Sequence, residues 1–224
     1  MGTMLQASGM PAGATPEEFC MENPDTLRGI HKAYLDAGVD LLTSCTFGGN
    51  IYKLPKSLDV FSFNRRIVEI ARQAASQAGR PVFVAGNVGP TGHFAKPLGP
   101  VEPRDLIAAF ATQIRGLVAG GADLIFIETQ FDLAEARAAV AAARQECDLP
   151  VMVSMTFEQG VSLTGSSPAI FAETMQNMGV DVVGTNCSLG PDQMQPVVQE
   201  LLTACECPVM AEPNAGLPEL RDNV

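Results

Sequence analysis

Positive charge is scarce in this chain. Its 224 residues carry 14 Lys and Arg against 25 Asp and Glu, a net charge of -11. A surface for nucleic acid or an anionic membrane needs clustered cations, so both partner classes are excluded. Long apolar runs are missing too, and none approaches the roughly 20 residues a membrane helix needs. Met1 is followed by Gly2 and Thr3 rather than by a basic and then apolar stretch, so no secretory signal is expected. Neither a Gly-x-Gly-x-x-Gly turn nor a P-loop occurs, which removes the usual fingerprints of a nucleotide site. The six cysteines are scattered, with Cys205 and Cys207 as a close pair. That spacing suits neither a disulfide scaffold nor a zinc knuckle, and it predicts reduced thiols in a cytoplasm.

What is present is a rhythm. Hydrophobic residues make up 46% of the chain, enough at this length for one large core, and a single domain over 1–224 is expected. Six times an apolar run stops at a small or polar residue, passes a loop and gives way to a helical pattern. The runs are Leu41–Phe47, Val82–Asn87, Leu124–Thr129, Val151–Phe157, Val182–Cys187 and Val209–Glu212. Two classes of unit interleave. One opens Gly-x-Asp, at Gly38, Gly121 and Gly179; the other opens Pro-Val, at Pro81, Pro150 and Pro208.

Continuous runs such as Leu124-Ile125-Phe126-Ile127 predict strands covered on both faces, as a parallel sheet requires. Leu27, Ile30 and Tyr34 mark one helix face, with Asn23 as its N-cap and Pro24 at the first position. Leu106, Phe110, Ile114 and Leu117 mark another. Asp132 with Glu135 reads as a capping pair for a helix over 133–144, and Gly38, Gly121 and Gly179 sit where helices should end. Residues 6–22, 48–61 and 88–102 read as loops. Alternating strands and helices allow a doubly wound sheet or a barrel. Two alternating unit classes favour an α/β fold of the (β/α)8 TIM-barrel type, whose interior layers draw on alternate strands. Closure takes eight units, so an incomplete barrel is expected.

In such barrels chemistry sits at the C-terminal strand ends. Those ends present Cys45 and Thr46, Asn87, Glu128 and Thr129, Ser154 to Thr156, Asn186 and Cys187, and Glu212 to Asn214. Cys187 is a candidate metal ligand or nucleophile, or else a small packed residue. Glu128 ends an apolar strand, where a carboxylate is costly unless paired. It binds an amine, acts as a base, or pairs with a loop or a basic side chain. Cys147, Cys205 and Cys207 precede strands and belong to the opposite, structural face. Cys45 is the other thiol near the mouth and reads as core, His31 as partly buried structure, and His93 as a solvated loop residue. No strand end carries a Lys, which disfavours Schiff-base chemistry.

The segments MGTMLQ (1–6), NVGPTG (87–92), ETQFDLAEAR (128–137), SMTF (154–157), GTNCSLGP (184–191) and PNAGLP (213–218) together resemble the homocysteine S-methyltransferase domain, of the kind that opens cobalamin-dependent methionine synthases. The likeness runs in order over nearly the whole chain. It implies a (β/α)8 barrel that holds zinc with three cysteine thiolates. It implies that Cys187 is the first of them, that Glu128 contacts the substrate amino group, and that Asn186 belongs to the substrate site. The other two thiolates come, in that family, from a Gly-Gly-Cys-Cys-Gly segment with no counterpart here. A first strand ending Asp-Gly-Ala has none either, so a domain truncated at both ends is expected.

The chemistry implied is activation of the homocysteine sulfur by zinc for attack on a methyl group carried by methylcobalamin on another domain. Homocysteine and a cobalamin-binding domain are the partners this implies. Two alternatives stand beside it: another barrel enzyme, such as a pterin-binding methyltransferase, and a non-catalytic assembly module whose open sheet edges pair with a partner.

Overall fold

The computed structural model describes residues 1–216. Two short helices come first, α1 (Gly2–Ala7) and α2 (Pro16–Glu22), and α3 (Pro24–Asp36) leads into β1 (Leu41–Thr43). The strands β2 (Phe83–Val88), β3 (Leu124–Gln130), β4 (Val151–Met155), β5 (Val182–Asn186) and β6 (Val209–Glu212) follow. Between them run α4 (Val60–Ser76), α5 (Pro103–Ala119), α6 (Leu133–Glu146), α7 (Pro168–Asn177) and α8 (Pro191–Ala204).

All five ladders are parallel, and strand order in the sheet is chain order, β1 to β6. A doubly wound sheet reverses its order at a switch point. None occurs among the described residues, so the six strands form part of a barrel wall, with β1 and β6 as its end strands. Ile125, Phe126 and Ile127 are all buried, as a strand covered on both faces must be. Ile125 and Ile127 share a cluster with Phe110 and Leu117 of α5 and Ala139 of α6.

The alternating unit classes have a physical cause at the base of the sheet. Asp123 accepts from the Val84 N–H at 2.8 Å, and Asp181 accepts from the Val151 N–H at 2.8 Å. Two of the three Gly-x-Asp carboxylates thus bind the backbone of a neighbouring strand of the Pro-Val class. An arginine from the preceding helices clamps each one. Arg72 bonds Asp123 and the Gly121 carbonyl, and Arg144 bonds Asp181 and the Gly179 carbonyl. Arg80 does the same for Asp40 and the Val39 carbonyl. Gly38, Gly121 and Gly179 all have positive φ one residue past a helix C-cap, as the sequence predicts.

Three local expectations need correction. Residues 6–22 are not one irregular loop: α1 ends inside them and α2 fills their second half. Leu5 and Cys20 bury completely against Leu27, Phe63 and Ile67 in a second core cluster, which is why these short helices form. Thr15 caps α2 by accepting from the Glu18 N–H, and Pro16 takes the first helical position. Asn23 does not cap α3; its side-chain amide donates to the Phe19 carbonyl instead. Asp132 caps α6, accepting from the Glu135 N–H at 3.1 Å, but Glu135 does not reciprocate. Its carboxylate instead holds the Thr91 N–H and hydroxyl.

Candidate active site

Cys45, Asn87, Glu128 and Cys187 line one cavity of about 590 Å³ at the C-terminal end of the sheet, which also reaches Glu17 of α2 and His31 of α3. A cavity of this size suits a small molecule. The strand ends therefore meet where the sequence places the chemistry, though not every side chain faces the space.

Glu128 reaches the cavity through an irregularity. The β3–β4 register shifts between Ile127 and Gln130, and Thr129 has φ 59°. A β-branched residue with positive φ is strained, and bulges of this kind re-aim side chains next to functional sites. The Thr129 N–H is satisfied by the Ser154 hydroxyl at 3.2 Å. Glu128 accepts from the Asn87 amide at 2.6 Å and takes part in no ion pair with a side-chain cation among the described residues. Burial pushes its carboxyl above the usual range, against the Asn87 bond and the amino-terminal charge.

Cys187 follows β5 with φ 59°, and Ser188 follows with φ 57°. Two consecutive left-handed residues without a glycine hold the thiol out at the mouth, where it is exposed. The Cys187 N–H donates to the Glu212 carbonyl at 3.1 Å, tying the turn to β6. Partial desolvation and then the Glu128 charge push its thiol up, Glu212 adds to this, and bonds with Thr129 and Asn186 oppose it. Glu212 is raised in turn by desolvation and by Glu128. Glu128 and Glu212 thus place two carboxylates near the Cys187 thiol.

Asn186 is buried and its contacts are internal. Its amide donates to the Thr129 hydroxyl at 2.7 Å and toward the Cys187 sulfur at 3.2 Å, and its carbonyl accepts from Ser154. It joins the two strained turns that carry Glu128 and Cys187. Among the described residues no three His, Cys, Asp or Glu side chains converge as a metal site. Cys45 is buried against Cys20, and Cys147, Cys205 and Cys207 lie near the starts of strands, so Cys187 alone brings a thiol to Glu128.

Asn87 and Glu17 are residues the sequence reading did not single out as site members. Asn87 stands at a strand end, and only the structure reveals its bond to Glu128. Glu17 is buried and accepts from the Gly48 N–H at 2.8 Å, holding the loop after β1 so closely that a Cβ at Gly48 would lie 2.5 Å from it. The sequence Thr15-Pro16-Glu17-Glu18 is a readable helix start, but nothing in it points Glu17 at a distant loop. Leu217 and Pro218 of the PNAGLP segment lie outside the described residues.

The family described as homocysteine S-methyltransferase matches residues 1–224. A methionine synthase of Mycobacterium leprae is 34% identical over 242 residues, covering 98% of this chain and 20% of that protein. The methionine synthase of Mycobacterium tuberculosis is 33% identical with the same coverage. The chain therefore spans about a fifth of the length of these relatives. Among solved structures, the Escherichia coli homocysteine methyltransferase MmuM in its metallated form superposes with a TM-score of 0.83 at 21% identity, over 96% of this chain and 82% of that one. Its oxidized form gives a TM-score of 0.85 at the same identity. At such identity the likeness establishes the fold, which is that of an α/β barrel.

Proposed function

The chain belongs to the homocysteine S-methyltransferase family, and from that premise we propose that it forms part of the homocysteine-binding barrel of a methionine synthase, where the homocysteine sulfur receives a methyl group to give methionine. The observation that carries this reading is the desolvated Glu128 carboxylate, fixed by Asn87 and bonded to no side-chain cation. A buried anion is costly unless paired. The α-ammonium group of an amino acid supplies the charge. Its side chain then extends across the cavity toward Cys187.

In this reading Glu128 binds the amino group. Asn186 serves the substrate indirectly, by fixing the turns that carry Glu128 and Cys187. Cys187 is the metal ligand this chain contributes. Zinc held by three thiolates would supply the positive field that deprotonates the substrate thiol. The described residues do not fit such a site on their own, since they bring one thiolate where three are needed. The remaining ligands have to come from elsewhere. The methyl donor we assign is methylcobalamin, carried on another domain and presented at the barrel mouth.

One thiolate where three are needed leaves the substrate thiol without the field that would remove its proton. This chain alone is therefore expected to bind homocysteine without transferring a methyl group. Six free thiols suit a reducing cytoplasm, and no helix among the described residues is long and apolar enough to cross a membrane.

Calorimetric titration with homocysteine and with 4-mercaptobutanoate, which lacks the amino group, tests the reading. Homocysteine should bind at least tenfold more tightly. Equal affinity for the two would remove the role given to Glu128, and no binding of homocysteine would remove the functional reading.

A further inference from the structure

Two thiols meet behind the cavity and play no part in the reading above. Cys20, on α2, and Cys45, in the loop after β1, lie 25 residues apart in sequence with their sulfurs 3.6 Å apart. Cys20 is fully buried and Cys45 is 6% exposed, and both belong to the cluster in which α1 and α2 pack with α3 and α4. Cys45 is also part of the cavity wall, so a water-sized reagent reaches one thiol of the pair through the site.

We propose that Cys20 and Cys45 are a redox-modification site, closed to an intrachain disulfide by hydroperoxides and reopened by dithiols. The Cys45 sulfur attacks the terminal oxygen of the hydroperoxide, and the O–O bond breaks. The peroxide leaves as water or an alcohol, and Cys45 becomes a sulfenic acid. The Cys20 sulfur then attacks the Cys45 sulfur, and the S–O bond breaks. The departing hydroxide takes up the Cys20 proton as water. Two thiols are oxidised by two electrons in all, and one hydroperoxide is reduced. A dithiol returns both electrons by exchange and leaves as its own cyclic disulfide.

The geometry favours closure over further oxidation. A sulfenic acid formed at Cys45 would have the Cys20 sulfur already in contact. The Cys20 bond and burial raise the Cys45 thiol well above its ordinary value, so attack is slow and the pair rests reduced. Closure would also be felt at the substrate site. The Ser44 and Thr46 hydroxyls, on either side of Cys45, bond the N–H and carbonyl of Asn87, whose amide holds Glu128. Drawing Cys45 toward Cys20 pulls on that chain of bonds.

The test is a tryptic map of the whole chain after hydrogen peroxide treatment, alkylation of the remaining thiols and unfolding. Cys20 lies in peptide 1–28 and Cys45 in peptide 33–53, whereas the other four cysteines share peptide 145–221. The expected product is 1–28 joined to 33–53, lighter than their sum by two hydrogen atoms. Dithiothreitol should abolish it, and it should be absent from Cys45→Ser. The oxidised chain should melt roughly 5–10 °C higher than the reduced chain. Recovery of Cys20 and Cys45 as alkylated thiols while Cys187 is oxidised would overturn the proposal, as would separate sulfinic acids at the two positions. The readout is mass, so its outcome is independent of whether homocysteine binds.

Discussion

The side-chain amide of Asn87, at the end of β2, donates to the carboxylate of Glu128, at the end of β3, across 2.6 Å. This bond orients a carboxylate that burial alone would tend to neutralise. Because the folded pKa of Glu128 is raised, the folded chain holds that proton more tightly than the unfolded chain does. Its contribution to stability is present below the ordinary 4.5 and is lost as pH rises through the raised value. Glu128→Gln should therefore melt higher than the parent chain at pH 8, with the gap closing toward pH 4.5. The same variant should lose homocysteine binding at least tenfold. Thermal melts and calorimetry across that range check both. A variant that melts lower at pH 8 would show that the charge is compensated within the fold.

Cys187 occupies left-handed backbone, which costs a non-glycine residue about 1 kcal/mol or more. Cys187→Gly should be more stable than Cys187→Ala by about 1 kcal/mol in urea unfolding. Both variants should remove metal binding by this chain. The parent chain itself should retain well under one zinc after metal loading and desalting, since one thiolate is a weak site. A full equivalent retained would show that further ligands, from Cys45 or a second chain, join Cys187.

His31 is fully buried with neither ring nitrogen hydrogen-bonded, and burial lowers its pKa to about 4. A depressed folded pKa means stability that is present above 6.5 and lost as pH falls toward about 4. His31→Leu should match or exceed the parent at pH 7. At pH 4.5 the variant should gain a further 2–3 kcal/mol, roughly, over the parent. Urea unfolding at the two pH values measures the difference, and a constant gap would mean that His31 meets water or a partner in solution.

Asp123 accepts from the Val84 N–H as well as pairing with Arg72. A half-exposed ion pair is worth little, whereas a backbone donor left unsatisfied costs about 1–3 kcal/mol. Asp123→Ala should therefore destabilise the chain more than Arg72→Ala. Chemical denaturation of both variants decides it, and equal losses would make the arginine clamp the principal element.

Much of the barrel is legible in the sequence because its signals are local. Continuous runs such as Leu124 to Ile127 mark doubly covered strands, and Gly38, Gly121 and Gly179 mark helix ends. The two unit classes also carry a message about packing, since Asp123 and Asp181 of one class bind the backbone of the other. The site is less legible. Residue type and strand position single out Glu128 and Cys187. The bulge that aims Glu128 arises from β3–β4 pairing, and neither Thr129 nor Ser188 is a residue that advertises left-handed backbone. Asn186 reads as a substrate contact by resemblance, yet its side chain is engaged with Thr129, Cys187 and Ser154. The helices within 6–22 are hidden for another reason: they are held by packing of α1 on α3 and of α2 on α3 and α4, tertiary contacts that no local pattern marks.

The sheet whose spatial order equals its chain order has a consequence for how the protein is made. Leu41 pairs with Phe83, Ile125 with Val151, and Val183 with Val209, so each strand docks on the one synthesised just before it. A nascent chain that has emerged as far as β2 already holds both halves of the β1–β2 ladder, and each later strand up to β6 can dock on the one before it. Assembly can keep pace with translation from β1 to β6. The growing edge at each moment is the newest strand, which stays open for only as long as the next helix and strand take to appear.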